Sequence, residues 1–343
     1  MIPIFKSKDK LIKRAIEVKH IAALASRVKR QLKEFKNGYV ASDVSVREYL
    51  DYIWSIPVKE ILTMDITRMR EVVKTVNNFL PSTCFYKRRK PTARELEFKK
   101  VNRQLEGIFD YNEFSKEKSG WCLGRLALEL QKEIRICPYC NAETVYAYNV
   151  SKGGKHKYMI RKSSFDHYFP KARYPFLAVS LYNLIPACTR CNSGFKGEEF
   201  KDLCLMLHPY ADWECLHAGM KFRVLVKTLK GLWCCASEDI DQVLLTERNG
   251  RCDGGVAWEE TFRLSETYSS VYKESIADIL VKLLQYPKSY VDMLYASLSR
   301  YGVPCPRLNR LVYGSTLNTD EINKNRLSKV AIDMYDTYCK GTL

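Results

Sequence analysis

Two cysteine pairs in this sequence have the spacing of metal ligands. They are Cys137-Pro-Tyr-Cys140 and Cys188-Thr-Arg-Cys191. Two intervening residues let a tight turn aim both thiolates at one ion, so each pair is half of a tetrahedral zinc site. With 13 cysteines in 343 residues, the expected number of Cys-x-x-Cys pairs by chance is about 0.5. The presence of two pairs therefore favours one shared site over coincidence. Four thiolates would close the coordination shell, so the zinc would be structural.

An acid, an imidazole and two amides lie between and beside these pairs, at Asp166, His167, Asn183 and Asn192. An imidazole near its ordinary pKa is a suitable general base for water at neutral pH. Asp166 and Asn192 offer hard oxygen donors, which suit Mg²⁺ or Mn²⁺ rather than zinc. Taken singly, an Asp-His pair is usually structural and an asparagine usually caps a helix or turn. The functional interpretation therefore depends on the whole set.

The order of these residues resembles the HNH endonucleases of the ββα-metal, or His-Me finger, superfamily. The pattern is Cys-x-x-Cys, then Asp-His-x-x-Pro, then Asn-Leu-x-Pro-x-Cys-x-x-Cys-Asn-x-x-x-Lys-Gly, over residues 137–197. Residues 165–197 are most similar to the HNH effector nucleases of bacterial antiphage systems such as Septu and certain retrons. Those nucleases resemble effectors that work beside an ABC-type ATPase. No such resemblance covers residues 1–130.

The resemblance implies a metal-dependent endonuclease that hydrolyses DNA phosphodiester bonds in bacterial antiviral defence, with an ABC-type ATPase as a candidate partner. His167 would be the general base, and Asp166 and Asn192 would hold a catalytic Mg²⁺ or Mn²⁺. Asn183 would hold the loop that positions the base. The last motif position is Asn192 rather than a histidine, which gives a His-Asn-Asn version of the motif. The candidate nucleic-acid contacts are Lys171, Arg190 and Lys196.

Two other functions stay open at this point. One is a non-catalytic zinc-finger protein that binds nucleic acid or acts as an adaptor. The other is a site-specific restriction or homing endonuclease. A zinc finger that only binds nucleic acid needs no general base beside a metal-binding carboxylate, so the Asp166-His167 pair favours a nuclease over the first alternative. A site-specific enzyme needs a module that reads DNA bases, and none is recognisable in the sequence.

The helices and strands that the sequence pattern predicts indicate an α+β protein that is mostly helical, with an embedded zinc-braced ββα-metal (HNH) finger and a helical C-terminal region. We expect a basic helical region at 1–130 that binds nucleic acid or a partner, the nuclease finger at 131–215, and a β-hairpin followed by helices at 216–343. Apolar residues at 11, 15, 18, 22, 25, 28, 32 and 35 predict one long helix that ends at Asn37-Gly38. Capping boxes are expected at Ser45-x-x-Glu48 and Thr92-x-x-Glu95.

Strands are expected at 144–150 and 157–169, with a second antiparallel pair at 221–229 and 232–236. Long helices are expected at 262–284 and 289–301, broken by Pro287, and a last helix at 319–338. Asp166 and His167 are adjacent, so on a regular strand their side chains would point to opposite faces. Both can serve one site only where the strand is distorted or ends.

The net charge of +17 is unevenly distributed. Residues 1–136 carry 29 Lys and Arg against 17 Asp and Glu, residues 137–200 carry 9 against 4, and the remainder carries 18 against 18. A polyanion should therefore meet the first two thirds of the chain, although a solvated basic surface is the simpler alternative. No apolar run of 18 residues and no signal peptide is recognisable, so we expect a soluble cytoplasmic protein with no membrane partner.

Overall fold

Helices dominate the computed structural model of the chain, which describes residues 4, 10–81, 90–117, 120–152, 156–161, 163–196, 206–212, 219–233, 236–248 and 254–340. Three two-stranded antiparallel sheets lie among the described helices. The prediction of a mostly helical protein that also contains β structure is therefore confirmed. Among the described helices, none has the length and apolar character needed to span a bilayer.

The helices divide into a group before residue 131 and a group after residue 228. The first group is α1 (Lys10–Gly38), α2 (Val44–Ser55), α3 (Val58–Thr63), α4 (Ile66–Phe79), α5 (Ala93–Ile108), α6 (Tyr111–Ser115) and α7 (Leu123–Leu130). The later helices are α8 (Leu229–Trp233), α9 (Gly255–Phe262), α10 (Leu264–Ser270), α11 (Lys273–Gln285), α12 (Lys288–Leu298), α13 (Cys305–Tyr313) and α14 (Ser328–Met334).

The strands pair as three hairpin-like units. They are β1 (Ala147–Lys152) with β2 (His156–Arg161), β3 (Ser164–His167) with β4 (Leu184–Ala187), and β5 (Met220–Val226) with β6 (Ile240–Glu247). The strand predicted over 157–169 is thus two strands, and the second of them ends at His167. Its register pairs Ser164 with Ala187 and His167 with Leu184.

Helix α1 has the predicted end at Gly38, but its buried face differs from the predicted apolar stripe. The buried side chains are Ile16, His20, Leu24, Val28 and Leu32, which step by four. The predicted stripe is wrong in its first half, where the residues at positions 11 and 18 are 84% and 58% exposed. The buried face differs because α1 packs against α3 and α5, and because His20, which lies outside the predicted apolar stripe, is buried with hydrogen-bond partners.

Helix caps follow the sequence at one site and depart from it at another. The Thr92–Glu95 capping box forms at the start of α5. At α2 the expected Ser45–Glu48 box is wrong, because Asp43 is the N-cap and its carboxylate accepts from the N–H groups of Ser45 and Val46. An aspartate two residues earlier thus satisfies the free N–H groups of the first turn.

The C-terminal part departs further from prediction. The expected pairing of 221–229 with 232–236 is wrong for the described residues, because α8 covers Leu229–Trp233 and the partner of β5 is β6. Residues 234 and 235 lie outside the described residues. The helix predicted at 319–338 is interrupted at Leu327, whose φ of 54° places it in the left-handed region that ends regular helices. Around the break are a 3₁₀ turn at Thr319–Glu321, helix α14 and a π-helical turn at Tyr335–Cys339.

The buried apolar side chains of all three predicted regions belong to one cluster, from Ile4 to Met334. His20 links the N-terminal helix to the segment between β3 and β4. Its Nε2 donates to the carbonyl oxygen of Val179 over 2.7 Å, and its Nδ1 accepts from the indole N–H of Trp121 over 3.1 Å. Because an indole N–H only donates and a carbonyl only accepts, His20 is the neutral Nε2–H tautomer.

The buried imidazole of His20 predicts a pH dependence of stability. Burial lowers the pKa of His20 from 6.5 to about 4. The unfolded chain takes up this proton below pH 6.5, whereas the folded chain takes it up only near pH 4. The contribution of neutral His20 to the free energy of unfolding is therefore fully present above pH 6.5 and is lost as the pH falls toward 4. In urea unfolding at several pH values, His20→Gln should reduce the loss over this interval by up to roughly 3 kcal/mol. Equal pH dependence in the two proteins would contradict the assignment.

Candidate metal centre and active site

The four cysteines of the two pairs lie in one buried cluster. Their sulfur atoms are all within 4.8 Å of one another. The first pair sits in a turn beside the bridge between Ile136 and Thr144. Cys188 directly follows β4, and Cys191 lies in a π-helical segment, Arg190–Lys196. The chain therefore brings together two segments that are about fifty residues apart.

The turn around the first pair depends on Asn141. This residue has a φ of 52°, a left-handed conformation that asparagine tolerates better than most residues. Its N–H donates to the carbonyl oxygen of Cys137 over 2.8 Å, which closes the turn. Its side chain reaches the C-terminal part of the chain, donating to the carbonyl oxygen of Ile322 and accepting from the N–H of Lys329. The C-terminal part thus holds the cysteine turn in place.

The donor set fits a tetrahedral metal ion. Zinc–sulfur bonds of about 2.3 Å place the sulfurs of a tetrahedral site about 3.8 Å apart, and this distance falls within the 4.8 Å limit of the observed cluster. In the part of the chain that the structure describes, no other group of three or more His, Cys, Asp or Glu side chains is arranged to hold a metal. Burial raises the pKa of the Cys137 thiol well above its ordinary value, so the thiolate form requires a nearby cation. The four cysteines could hold a metal ion such as zinc.

His167 is the last residue of β3, and its ring is half-buried. Its Nε2 lies 2.9 Å from the carbonyl oxygen of Ala178. Since a carbonyl can only accept, the proton is on Nε2 and the lone pair is on Nδ1. The ring of Tyr111 contacts the imidazole edge-on, with 4.5 Å between centroids. Burial lowers the pKa of His167 to about 4, so the imidazole is neutral at pH 7 and can accept a proton at Nδ1.

Asp166 is buried in a network with two donors. Its Oδ2 accepts from the hydroxyl of Tyr139 over 2.5 Å and from the ammonium of Lys196 over 2.6 Å. Lys196 also donates to the carbonyl oxygens of His167 and Tyr168, over 2.8 and 2.9 Å. These three bonds use all three N–H groups of the ammonium.

The placement of Lys196 differs from the phosphate contact expected from the sequence. Its side chain is only 7% exposed, and the π-helical segment turns it inward beneath the end of β3. The lysine neutralises Asp166 and binds the backbone carbonyls of His167 and the next residue, Tyr168. Burial lowers the pKa of Lys196, and the attraction of Asp166 opposes this effect.

Asn183 ties together the segment between β3 and β4. Its Oδ1 accepts from the N–H of Phe169 over 2.7 Å. Its Nδ2 donates to the carbonyl oxygens of Phe169 and Leu177, each over 3.0 Å. Ala178, whose carbonyl binds His167, is the next residue after Leu177. One buried amide therefore fixes the loop that supplies the acceptor for the imidazole.

The remaining predicted residues lie nearer the surface. Lys171 is exposed, with its ammonium 4.9 Å from the ring centroid of Tyr111. Arg190 is half-buried, with its guanidinium 5.7 Å from the ring centroid of Phe195 and 5.4 Å from that of Tyr272. Asn192 is half-buried in the π-helical segment, and its N–H donates to the carbonyl oxygen of Cys188 over 3.0 Å. The contacts seen among the described residues do not join Asn192 to Asp166 or His167.

Sequence reasoning missed three residues that shape this site. Tyr139 lies inside the first cysteine pair, so its position next to a metal turn was a usable signal for its contact with Asp166. Tyr111 and His20 belong to the helical region, where nothing in the local pattern indicates that they contact the loop near His167. Their roles follow from long-range packing alone.

No protein-family model and no solved structure matches this chain. A stretch of 49 residues is 43% identical to Protein ea31 of Escherichia phage lambda. It covers 14% of this chain and 17% of that protein. The chain therefore shares a short segment with this phage protein, which is too little to assign a family.

The buried ion pair predicts a large stability loss when its cation is removed. Lys196→Met leaves the Asp166 carboxylate buried without a counter-charge, and we expect a loss of about 3–5 kcal/mol in the free energy of unfolding. The matched control is Lys340→Met, which removes an exposed lysine from its i,i+4 pair with Asp336 and should cost at most about 0.5 kcal/mol. Chemical denaturation measures both. A Lys196→Met loss as small as that of the control would contradict the buried pairing.

Proposed function

We propose that this protein is a metal-dependent HNH endonuclease that hydrolyses phosphodiester bonds, with DNA as the favoured substrate and His167 as the general base. The observation that carries the proposal is the state of the His167 imidazole. Its Nε2 is committed to the carbonyl oxygen of Ala178, which leaves Nδ1 as the proton acceptor. A neutral imidazole with one nitrogen oriented by a backbone carbonyl is suited to activate water.

The local arrangement of elements supports the proposal. Strands β3 and β4 are antiparallel and are followed by the short helical segment Arg190–Lys196. The proposed ββα-metal finger requires this strand, strand, helix order, and the described part of the helical segment, Arg190–Lys196, is π-helical. The cysteine cluster lies at the start of that segment.

In the proposed reaction, His167, Asn183 and Lys171 have separate roles. Nδ1 of His167 takes a proton from the attacking water, while Asn183 and the carbonyl of Ala178 hold the imidazole in place. Lys171 is exposed beside Tyr111, whose ring contacts His167, so its ammonium can bind a substrate phosphate near the base.

The catalytic ion would be held by Asp166 and Asn192, and it would act as a Lewis acid for the phosphate and the leaving oxygen. Carboxylate and amide oxygens are hard donors that suit Mg²⁺ or Mn²⁺. Oδ2 of Asp166 already accepts two hydrogen bonds, so Oδ1 is the oxygen left for an ion. The positive charge of Lys196 lowers the attraction of this carboxylate for a free divalent cation.

Zinc is the metal we propose for the four cysteines, in a structural role. Four thiolates leave no open coordination position, so zinc would brace the turn at Cys137 and the segment at Cys191 without contacting substrate. A role in antiviral defence, an ABC-type ATPase partner and a cytoplasmic location rest on the sequence resemblance.

One observation favours the alternative of a zinc-stabilised protein that binds nucleic acid without cleaving it. The ammonium of Lys196 neutralises the carboxylate that a catalytic ion would require. Wild-type protein that binds DNA but leaves it intact in Mg²⁺ and in Mn²⁺ would favour this alternative.

Loss of the imidazole should abolish most nuclease activity. Supercoiled plasmid and single-stranded DNA are incubated with wild type or His167→Ala in EDTA, Mg²⁺ or Mn²⁺. We expect metal-dependent cleavage by wild type and a loss of at least about 100-fold in the variant, the usual contribution of a general base. Circular dichroism checks that the variant is folded. Cleavage by His167→Ala at the wild-type rate would eliminate the proposed base.

Zinc content should depend on the cysteine cluster and be independent of the base. We expect one zinc per chain in wild type and in His167→Ala, and little zinc in Cys188→Ser, because the serine hydroxyl replaces a thiolate ligand. Cys305→Ser is the control, since Cys305 is an exposed cysteine outside the cluster. Elemental analysis of the purified proteins gives the result. Full zinc content in Cys188→Ser would refute shared ligation by the four sulfurs.

A further inference from the structure

A groove of about 630 Å³ lies between α1 and the corner where α2 meets α3. Its floor is mainly aliphatic, and its rim carries four lysines, Lys29, Lys33, Lys36 and Lys59. All four are exposed, and Trp54 forms part of the wall. We call this feature the lysine groove. It is separate from the residues around His167.

The charge of the lysine groove is of one sign. No aspartate or glutamate lines it, and none of its four ammonium groups forms an ion pair with another residue in the described part of the chain. Four unneutralised positive charges around a concave surface attract anions by focusing the field within the groove. The groove also lies in the basic first third of the sequence.

The aromatic wall adds a preference among anions. The ammonium of Lys36 lies 5.3 Å from the ring centroid of Trp54. One face of this half-buried indole is therefore accessible to a charged group on the protein surface. A nucleobase can take that position by stacking on the ring, which releases Lys36 to meet a phosphate. An acidic peptide brings negative charge but no equivalent flat partner for Trp54.

The lysines are spaced along one side of α1. Lys29, Lys33 and Lys36 follow steps of four and three residues, which correspond to about 6 and 4.5 Å along a helix. Flexible lysine side chains can adjust this row to successive phosphates of one strand. The groove volume is in the range of single small-molecule sites, so it accommodates a few nucleotides of one strand rather than a duplex.

We propose that the lysine groove binds a single-stranded segment of nucleic acid, with phosphates on the lysines and a base on Trp54. The proposal rests on the proposed nuclease function and extends it by naming where substrate is held outside the cleavage site. Helix α1 connects the two places. Its His20 binds the carbonyl oxygen of Val179, next to the Ala178 carbonyl that binds His167, and Lys29 lies about 14 Å further along the helix.

The test measures binding of a fluorescent twelve-residue oligothymidylate to the full-length chain by anisotropy, in EDTA and over a range of salt. One variant combines Lys29→Gln, Lys33→Gln and Lys36→Gln. The matched control combines Lys227→Gln, Lys230→Gln and Lys324→Gln, which removes three exposed lysines from the C-terminal part. We expect at least tenfold weaker binding for the groove variant and a salt slope smaller by about 2, for three lost phosphate contacts. The control should bind within twofold of wild type.

Trp54 provides a second readout. Trp54→Leu should weaken binding at least fivefold through lost stacking, while Trp54→Phe, which keeps an aromatic face, should recover most of the affinity. Equal binding by the groove variant and the lysine control would overturn the proposal. So would competition by polyglutamate or by anionic lipid vesicles as effective as that by unlabelled oligothymidylate, because the groove would then recognise charge alone.

The outcome can be separated from that of the nuclease proposal. Oligonucleotide binding is measured in EDTA and DNA cleavage in Mg²⁺, so the two proposals have separate readouts in the same wild-type protein. Intact groove binding in a protein that cleaves no DNA would refute the nuclease and leave the groove standing. DNA cleavage with no effect of the lysine substitutions on binding would refute the groove alone.

Discussion

The arrangement of the site depends on four buried sulfurs sharing one small volume. They join a turn at residues 137–140 to a segment at residues 188–191, and both strands next to His167 lie between these points in the chain. Buried thiols in mutual contact cannot all ionise without a cation, so a metal ion would convert an unfavourable cluster into a cross-link. The π-helical segment that carries Lys196 begins within the cluster, so the position of this ammonium beneath Asp166 follows from it. The C-terminal helices complete the enclosure, since Tyr268 donates to the carbonyl oxygen of Cys140 over 2.6 Å.

The loop between β3 and β4 is the second constraint, and two histidines bind its successive carbonyls. His167 binds Ala178 from one side, and His20 binds Val179 from the N-terminal helix. Tyr182 of the same loop donates to Glu17 of α1. The helical region therefore helps to position the loop whose Ala178 carbonyl binds His167.

The sequence pattern correctly predicted features that depend only on residues close to one another in the chain. The Cys-x-x-Cys spacing predicted that the two sulfurs of each pair lie close together, Asn37-Gly38 predicted the end of α1, and Thr92 with Glu95 predicted a cap. Each of these features depends on neighbours within a few residues. The buried face of α1 could not be predicted, since it depends on what His20 contacts 159 residues away. The burial of Lys196 could not be predicted either, because the sequence around it predicted a phosphate contact. Only the folded chain supplies the carboxylate and the two carbonyls that accept from its ammonium.

The charge balance around Asp166 decides which ligand the site attracts first. The carboxylate and the ammonium of Lys196 cancel one another in a buried setting, where each charge acts strongly on its neighbours. A free divalent cation gains little from a carboxylate that is already neutralised. In the proposed nuclease, a phosphate group would meet the exposed ammonium of Lys171, which lies beside the Tyr111 ring that contacts His167. Once bound, the phosphate supplies the negative oxygens that the carboxylate alone does not offer to a divalent ion. In the proposed nuclease, these charges therefore favour joint binding of metal and substrate, and we expect the site to be inactive toward water until a phosphodiester is present.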